Sequence, residues 1–256
     1  MQLNNSNYFS TAAMTEYWSV SQFKAFDKCE AAALAELRGE YGQKYTTALL
    51  VGSYVDAYFS DELEDFYIEH PEVYNSRTGL LKADFRAADD VIWALERQPV
   101  MMQYMSGERQ AIKTAELFGV PWKIKMDFYD GEKIVDLKVV RNFEPIYEEG
   151  FGMRSWIEYW GYDIQGAIYQ KVEQLSSGRK TPLPFYLAAA TKEDPPDVKL
   201  IQIPQHVLDT ALKVVESKID RFDLVKTGEI PSERCEKCAY CRRTKVINGP
   251  EEYEVE

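Results

Sequence analysis

The stretch 123–140, KIKMDFYDGEKIVDLKVV, decides the fold. Asp130-Gly131 is a pair suited to a tight hairpin turn. On either side of it, polar and apolar residues alternate with the period of two that marks a β-strand. Before the turn, Lys123, Lys125 and Asp127 share one face, and Ile124, Met126 and Phe128 the other. After it, Ile134, Asp136 and Lys138 share a face opposed by Val135, Leu137 and Val139. The second strand is thus apolar on one side and carries an acid and a base two residues apart on the other. Two strands joined by a tight turn bring Asp127 and Asp136 close enough to share a cation.

That grouping has a chemical use. Hydrolysis of a phosphodiester needs a hard cation to neutralise phosphate oxygens and to lower the pKa of a water. Mg²⁺ takes oxygen ligands and is commonly held by one or two carboxylates. A lysine beside it can orient or help deprotonate the attacking water. The plain alternative is a solvated edge hairpin with a surface salt bridge.

Upstream, residues 15–38 read as one amphipathic helix with Ser19 or Ser21 near its start and Gly39 and Gly42 beyond its end. Further helices are expected over 46–59 and 82–97, the latter stopped by Pro99. Strand periodicity covers 111–118 and 123–129, then 133–140. Downstream, the spacing predicts a helix over 156–175 with Gly178 just beyond it, strands over 182–190 and 198–203, and a helix over 206–226. This order implies an α/β (α+β-like) fold, a central mixed β-sheet flanked by helices. No linker divides the chain, which is expected to be a single domain over 1–256: a mainly helical part over 1–106, a core over 107–226 and a cysteine-bearing segment over 227–256.

The 256 residues are 45% hydrophobic and 28% charged, ordinary globular usage with enough apolar material for a sizeable core. No apolar run reaches the roughly 18 residues of a membrane span. Residues 1–10 are polar without a basic n-region, so the expectation is a cytoplasmic protein with no membrane partner. The net charge of −12 runs against simple phosphate binding, which relies on Lys and Arg. The acids, however, concentrate at 61–65, 89–90, 144–149 and 251–256. Between 108 and 143 seven basic residues face six acidic ones, and a bound divalent ion adds its own charge.

Asp127 followed by Asp136-Leu137-Lys138 resembles the D…(D/E)-x-K signature of the PD-(D/E)XK nucleases, and IVDLKVVRN resembles the catalytic strand of their RecB-like branch. Tyr162, Gln165 and Tyr169 in GYDIQGAIYQ are similar to that branch's Q-x-x-x-Y helix. Gln165 and Tyr169, at i and i+4, share a helix face in any case. The branch's G-x-x-x-H motif corresponds to Gly52-Ser53-Tyr54-Val55-Asp56, with Asp56 where the histidine would be. A carboxylate there suits Mg²⁺ or Mn²⁺. Glu108, Gln110 and Glu116 are candidates for a further polar group, and neither His70 nor His206 falls in a motif.

Cys235, Cys238 and Cys241 form C-x-x-C-x-x-C, and Cys29 is the one cysteine left to complete a four-ligand site. The layout resembles the iron–sulfur-bearing RecB-like nucleases such as AddB. In those, one N-terminal and three C-terminal cysteines hold a 4Fe–4S cluster. The segment from Ser19 and Ser21 through Phe26 to Cys29 is similar to their S-x-S-x-x-x-x-F-x-x-C-P motif, with Glu30 in place of the proline. A structural zinc in a Cys₄ site is the alternative.

The resemblance is closest to phage and prophage exonucleases related to exonuclease VIII and lambda exonuclease. It implies a restriction-endonuclease-like core and Mg²⁺-dependent hydrolysis of DNA, with metal on Asp127 and Asp136 assisted by Asp56. It also implies that Lys138 positions the water, and that Gln165, Tyr169 and Lys125 meet the substrate backbone. A single-strand annealing protein and self-association are the partners it suggests. The alternative is a non-catalytic DNA-binding or assembly module that retains the fold.

Overall fold

The computed structural model describes residues 1–42, 46–247 and Gly249; the acidic run at 251–256 lies outside the described residues. The quoted stretch forms β2 (Val120–Tyr129) and β3 (Ile134–Val140). With β1 (Glu108–Leu117), β6 (Phe185–Thr191) and β7 (Val198–Gln202) they make a five-stranded sheet in the order β1-β2-β3-β6-β7. β3 is its middle strand, so the solvated edge hairpin is excluded. All neighbours are antiparallel except β3 and β6, which run parallel over seven registered positions. A parallel pair needs a long crossover. Here it contains a small hairpin, β4 (Ile146–Glu148) and β5 (Gly152–Arg154), and the helices α8 (Trp156–Tyr159) and α9 (Tyr162–Ser177).

Both faces of the sheet are buried, as parallel-containing sheets require. Ile134 and Val140 of β3 join one core with Trp122, Ile124 and Met126; residues of α9 and of α10 (Gln205–Thr227) cover it. Val135 and Leu137 join a second core under α4 (Thr47–Phe59) and α6 (Ala83–Glu96). Strand β6 alternates likewise, Phe185, Leu187 and Ala189 facing the first core and Ala188 and Ala190 the second. On β3, therefore, Asp136 and Lys138 interrupt a face that is otherwise apolar at both ends.

Two expected helices are broken. The segment 15–38 is divided among α1 (Thr11–Glu16), α2 (Val20–Lys28) and α3 (Glu30–Leu37). Trp18 is extended because its N–H and carbonyl bond to β2, at Pro121 O and Lys123 N (2.7 and 2.8 Å). Ser19 then caps α2 by accepting from Gln22 N, and extended Cys29 separates α2 from α3. The segment 156–175 is split at Gly161, whose φ of +63° suits glycine. Two short helices escaped the periodicity, α5 (Leu63–Glu69) and α7 (Pro99–Tyr104). Pro99, expected only as a stop, occupies the first turn of α7, where its missing N–H is not needed.

Candidate active site and a four-cysteine cluster

β2 and β3 pair at only two positions, Phe128 with Val135 and Tyr129 with Ile134. Beyond them the strands part, and Leu137 N–H on the β2 side donates to Asp127 Oδ2 at 2.8 Å. A carboxylate thus takes the place of a ladder carbonyl, which keeps the buried N–H satisfied and opens the sheet beside Asp136.

Asp136 is 1% exposed. Gln165 Nε2 donates to its Oδ1 at 2.7 Å, and its Oδ2 has the Lys138 ammonium as its partner, in an ion pair. Burial would lower the Lys138 pKa, but Asp136 and Asp127 outweigh it and the net shift is upward, so the ammonium stays charged. Asp127 is pushed well above the usual carboxylate range by burial, then by the charges of Asp136 and Asp56. Burial on α4 raises Asp56 to about 6, with Asp136 adding to the effect and Lys138 opposing it. Three acids thus crowd around one lysine, an arrangement short of positive charge.

These residues line a cleft of about 970 Å³, which Asp56, Asp127, Asp136, Lys138, Lys125, Gln165 and Tyr169 all reach. Asp56 is therefore not a surface aspartate. Of the three additional candidates, Gln110 lines the cleft and Glu108 and Glu116 do not. Gln110 adopts φ +54° and donates to Ser60 Oγ. His70 lies on the cleft wall, its Nδ1 3.1 Å from Glu72.

The sequence reading missed Lys24, Glu62 and the serine pair Ser19 and Ser21, all on the cleft wall. Lys24 donates to Trp160 O at 2.8 Å, and burial, helped by Lys138, lowers it to about 8. The signal was present: Ser21 and Lys24 are three residues apart, hence on one helix face, within the quoted serine motif.

Gln165 and Tyr169 reach the cleft and are also bonded within the protein. Tyr169 is buried and donates to Lys125 O at 2.8 Å, tying α9 to β2, while Gln165 is committed to Asp136. Tyr162 lies beside Lys138, its ring centroid 5.4 Å from Nζ.

The four cysteines converge, their Sγ atoms all within 4.8 Å of one another. Cys29 and Cys241 are buried, with Sγ atoms 3.6 Å apart. The N–H groups of Cys238 and Cys241 point to the sulfurs of Cys235 and Cys238 at 3.3 and 3.4 Å. Glu30, where the resembled motif has proline, is buried and accepts from Arg221 and from Glu233 N–H. It docks the cysteine segment onto α3, which a proline could not do. The cluster is a fit site for a thiophilic metal.

The chain is similar to a crystal structure from Eubacterium rectale named "Putative exonuclease", with 42% identity, a TM-score of 0.93, and coverage of 98% of this chain and 97% of that one. No curated protein matches it. Residues 19–244 match the PDDEXK-like domain of unknown function (DUF3799), and the chain belongs to that family.

Proposed function

We propose that this protein is a divalent-metal-dependent exodeoxyribonuclease whose nuclease domain spans the chain and acts on linear duplex DNA in phage-type recombination. The carrying observation is the parting of β2 from β3, which gathers Asp127, Asp136 and Lys138 with Asp56 at an open cleft. The excess of buried carboxylate over lysine there fits a hard divalent ion. Asp127 and Asp136 would hold Mg²⁺ or Mn²⁺, and Asp56 would assist. Such an ion supplies charge neutralisation at the phosphate and a lowered pKa for the attacking water.

The remaining roles follow from the chain's own groups. Lys138 stays charged, so it orients the water by donating to it and does not take its proton. Lys24 and Lys125, on the cleft wall, bind the phosphates flanking the scissile one. Gln165 holds the Asp136 carboxylate in one orientation, and Tyr169 holds β2 against α9; both are positioning residues. The name of the Eubacterium rectale relative supports the exonuclease reading. None of the described helices is long and apolar enough to cross a membrane; action on DNA in the cytoplasm is part of the proposal. The family resemblance adds a single-strand annealing protein, and further copies of this chain, as partners.

The deciding experiment compares end-labelled linear duplex with covalently closed circular DNA in Mg²⁺. Degradation of the linear form alone, lost in Asp136→Asn, is the expected result. Equal cutting of circles would replace exonuclease by endonuclease, and no cutting of either would sink the enzyme reading.

A further inference from the structure

The resemblance to the AddB-type proteins implies a 4Fe–4S cluster on the four cysteines, but the thiol spacing does not fit one. In a cubane the cysteine sulfurs lie on bonds directed outward from its iron corners, and they end up about 6 Å apart. Around a single tetrahedral ion with Zn–S bonds of about 2.3 Å, the sulfurs are about 3.8 Å apart. Here Cys29 and Cys241 are 3.6 Å apart, Cys235 and Cys241 4.0 Å, and no pair exceeds 4.8 Å. A disulfide fits no better, since its S–S bond is only about 2 Å.

The surroundings resist expansion. On one side Cys29 opens α3, whose Ala31 N–H donates to Glu233 O at 3.0 Å and whose Glu30 accepts from Glu233 N–H. On the other, Cys235 and Cys238 are locked by the N–H···S contact between them, and Cys241 lies in α11 (Ala239–Arg243), which is only five residues long. Arg234 donates to Cys241 O at 2.7 Å and closes the back of the loop. Ala31, Ala32 and Tyr240 pack against the sulfurs. Admitting a cubane would require each pair of thiols to part by about 2 Å against these bonds, the difference between the two spacings.

We propose that Cys29, Cys235, Cys238 and Cys241 bind one tetrahedral Zn²⁺ in place of an iron–sulfur cluster. Four protein ligands close the coordination sphere, so the ion is structural and clasps the α2–α3 junction to the segment that follows α10. It takes no part in hydrolysis.

The test is metal analysis of the full chain, produced and purified without oxygen from cells supplied with both iron and zinc, so that a labile cluster would survive. The expected result is one zinc per chain, no acid-labile sulfide and no absorbance shoulder in the visible blue. Adding a mercurial to the unmodified protein should release that one equivalent to a chromophoric chelator. Replacement by Co²⁺ should give the intense visible bands of tetrahedral cobalt thiolate. Cys238→Ser should lower bound zinc severalfold. About four irons with four sulfides per chain, a single iron without sulfide, or reduced thiols with no metal would each overturn the proposal. None of these readouts depends on nuclease activity, so the inference can fail while the proposed function stands, and the reverse.

Discussion

The protein holds two clusters of metal-ligating side chains, and they are built in opposite ways. Asp127 and Asp136 come from neighbouring strands, and Asp56 from a helix packed on the same sheet. The seven-position register of β3 with β6 and the two cores hold that geometry in place whether or not an ion is bound. The fold can therefore carry uncompensated negative charge, and under the proposed function an ion that relieves it would be free to exchange during turnover. Cys29 and Cys241 are instead separated by 212 positions, and the apolar cluster around them is small. There the proposed ion would supply what packing does not. On the proposed readings, a site on a rigid sheet would use its metal for chemistry, and a site between distant chain segments would use it for cohesion.

The largest expected effect breaks the first half of this comparison. Asp136→Asn should reduce Mg²⁺-dependent nucleotide release from linear duplex by about 10³-fold or more, a loss of at least about 4 kcal/mol of transition-state stabilisation. Its unfolding midpoint should fall only slightly; a collapse of the fold would show that the sheet does not hold the site by itself.

Lys138→Met removes one partner of a buried pair, which typically costs about 3–5 kcal/mol because the other charge is left uncompensated. The double variant Asp136→Asn, Lys138→Met should recover most of that loss in denaturant titration while remaining inactive. No recovery would mean that the two side chains are not coupled.

Packing tests the positioning of α9. A Cβ on Gly166 would lie 2.5 Å from Phe185 Cδ1, in β6. Phe185 is fully buried and cannot turn aside, so Gly166→Ala should destabilise by about 1–3 kcal/mol. The neighbouring Gln165 would shift off Asp136, so kcat should fall more than KM rises. Unchanged kcat would remove Gln165 from the list of positioning residues.

The smallest effect is a pH dependence. Asp56 has its pKa raised from 3.8 to about 6. Its protonated form favours the folded state, so this contribution is full below about 3.8 and lost as pH rises through 6. A divalent ion binds the ionised form. The rise in Tm caused by Mg²⁺ or Mn²⁺ should therefore be larger at pH 7.5 than at pH 5, and Asp56→Asn should flatten the difference. An equal rise at both pH values would take Asp56 out of the metal site.

Much of the site was legible in sequence because strand alternation is a local property. Asp127, Asp136 and Lys138 share a cleft because a period of two and a tight turn leave few alternatives. The convergence of four cysteines was legible for another reason, that thiols at such spacing in one chain have few other uses. Lys24 and Glu62 were not legible, since their place on the cleft wall depends on how α2 and the start of α5 meet the sheet. The breaks at Trp18, Cys29 and Gly161 were missed as well. Two are imposed by a partner elsewhere, β2 for Trp18 and the cysteine segment for Cys29, and the third is a turn through the positive φ of Gly161.

The amino-acid sequence by itself determined the alternation along β3 and which side chains could carry charge or bind metal, because these follow from backbone periodicity and residue chemistry; on β2 it failed at Phe128, which leaves the face of Ile124 and Met126 and joins the second core. Only the tertiary structure decided that β3 is central, that β2 leaves it after two pairs, and that Gln165 and Tyr169 are bonded to Asp136 and to the Lys125 carbonyl. It also decided that the four sulfurs stand within 4.8 Å of one another. These outcomes are set by contacts between segments far apart in the chain, whose distances no local pattern encodes.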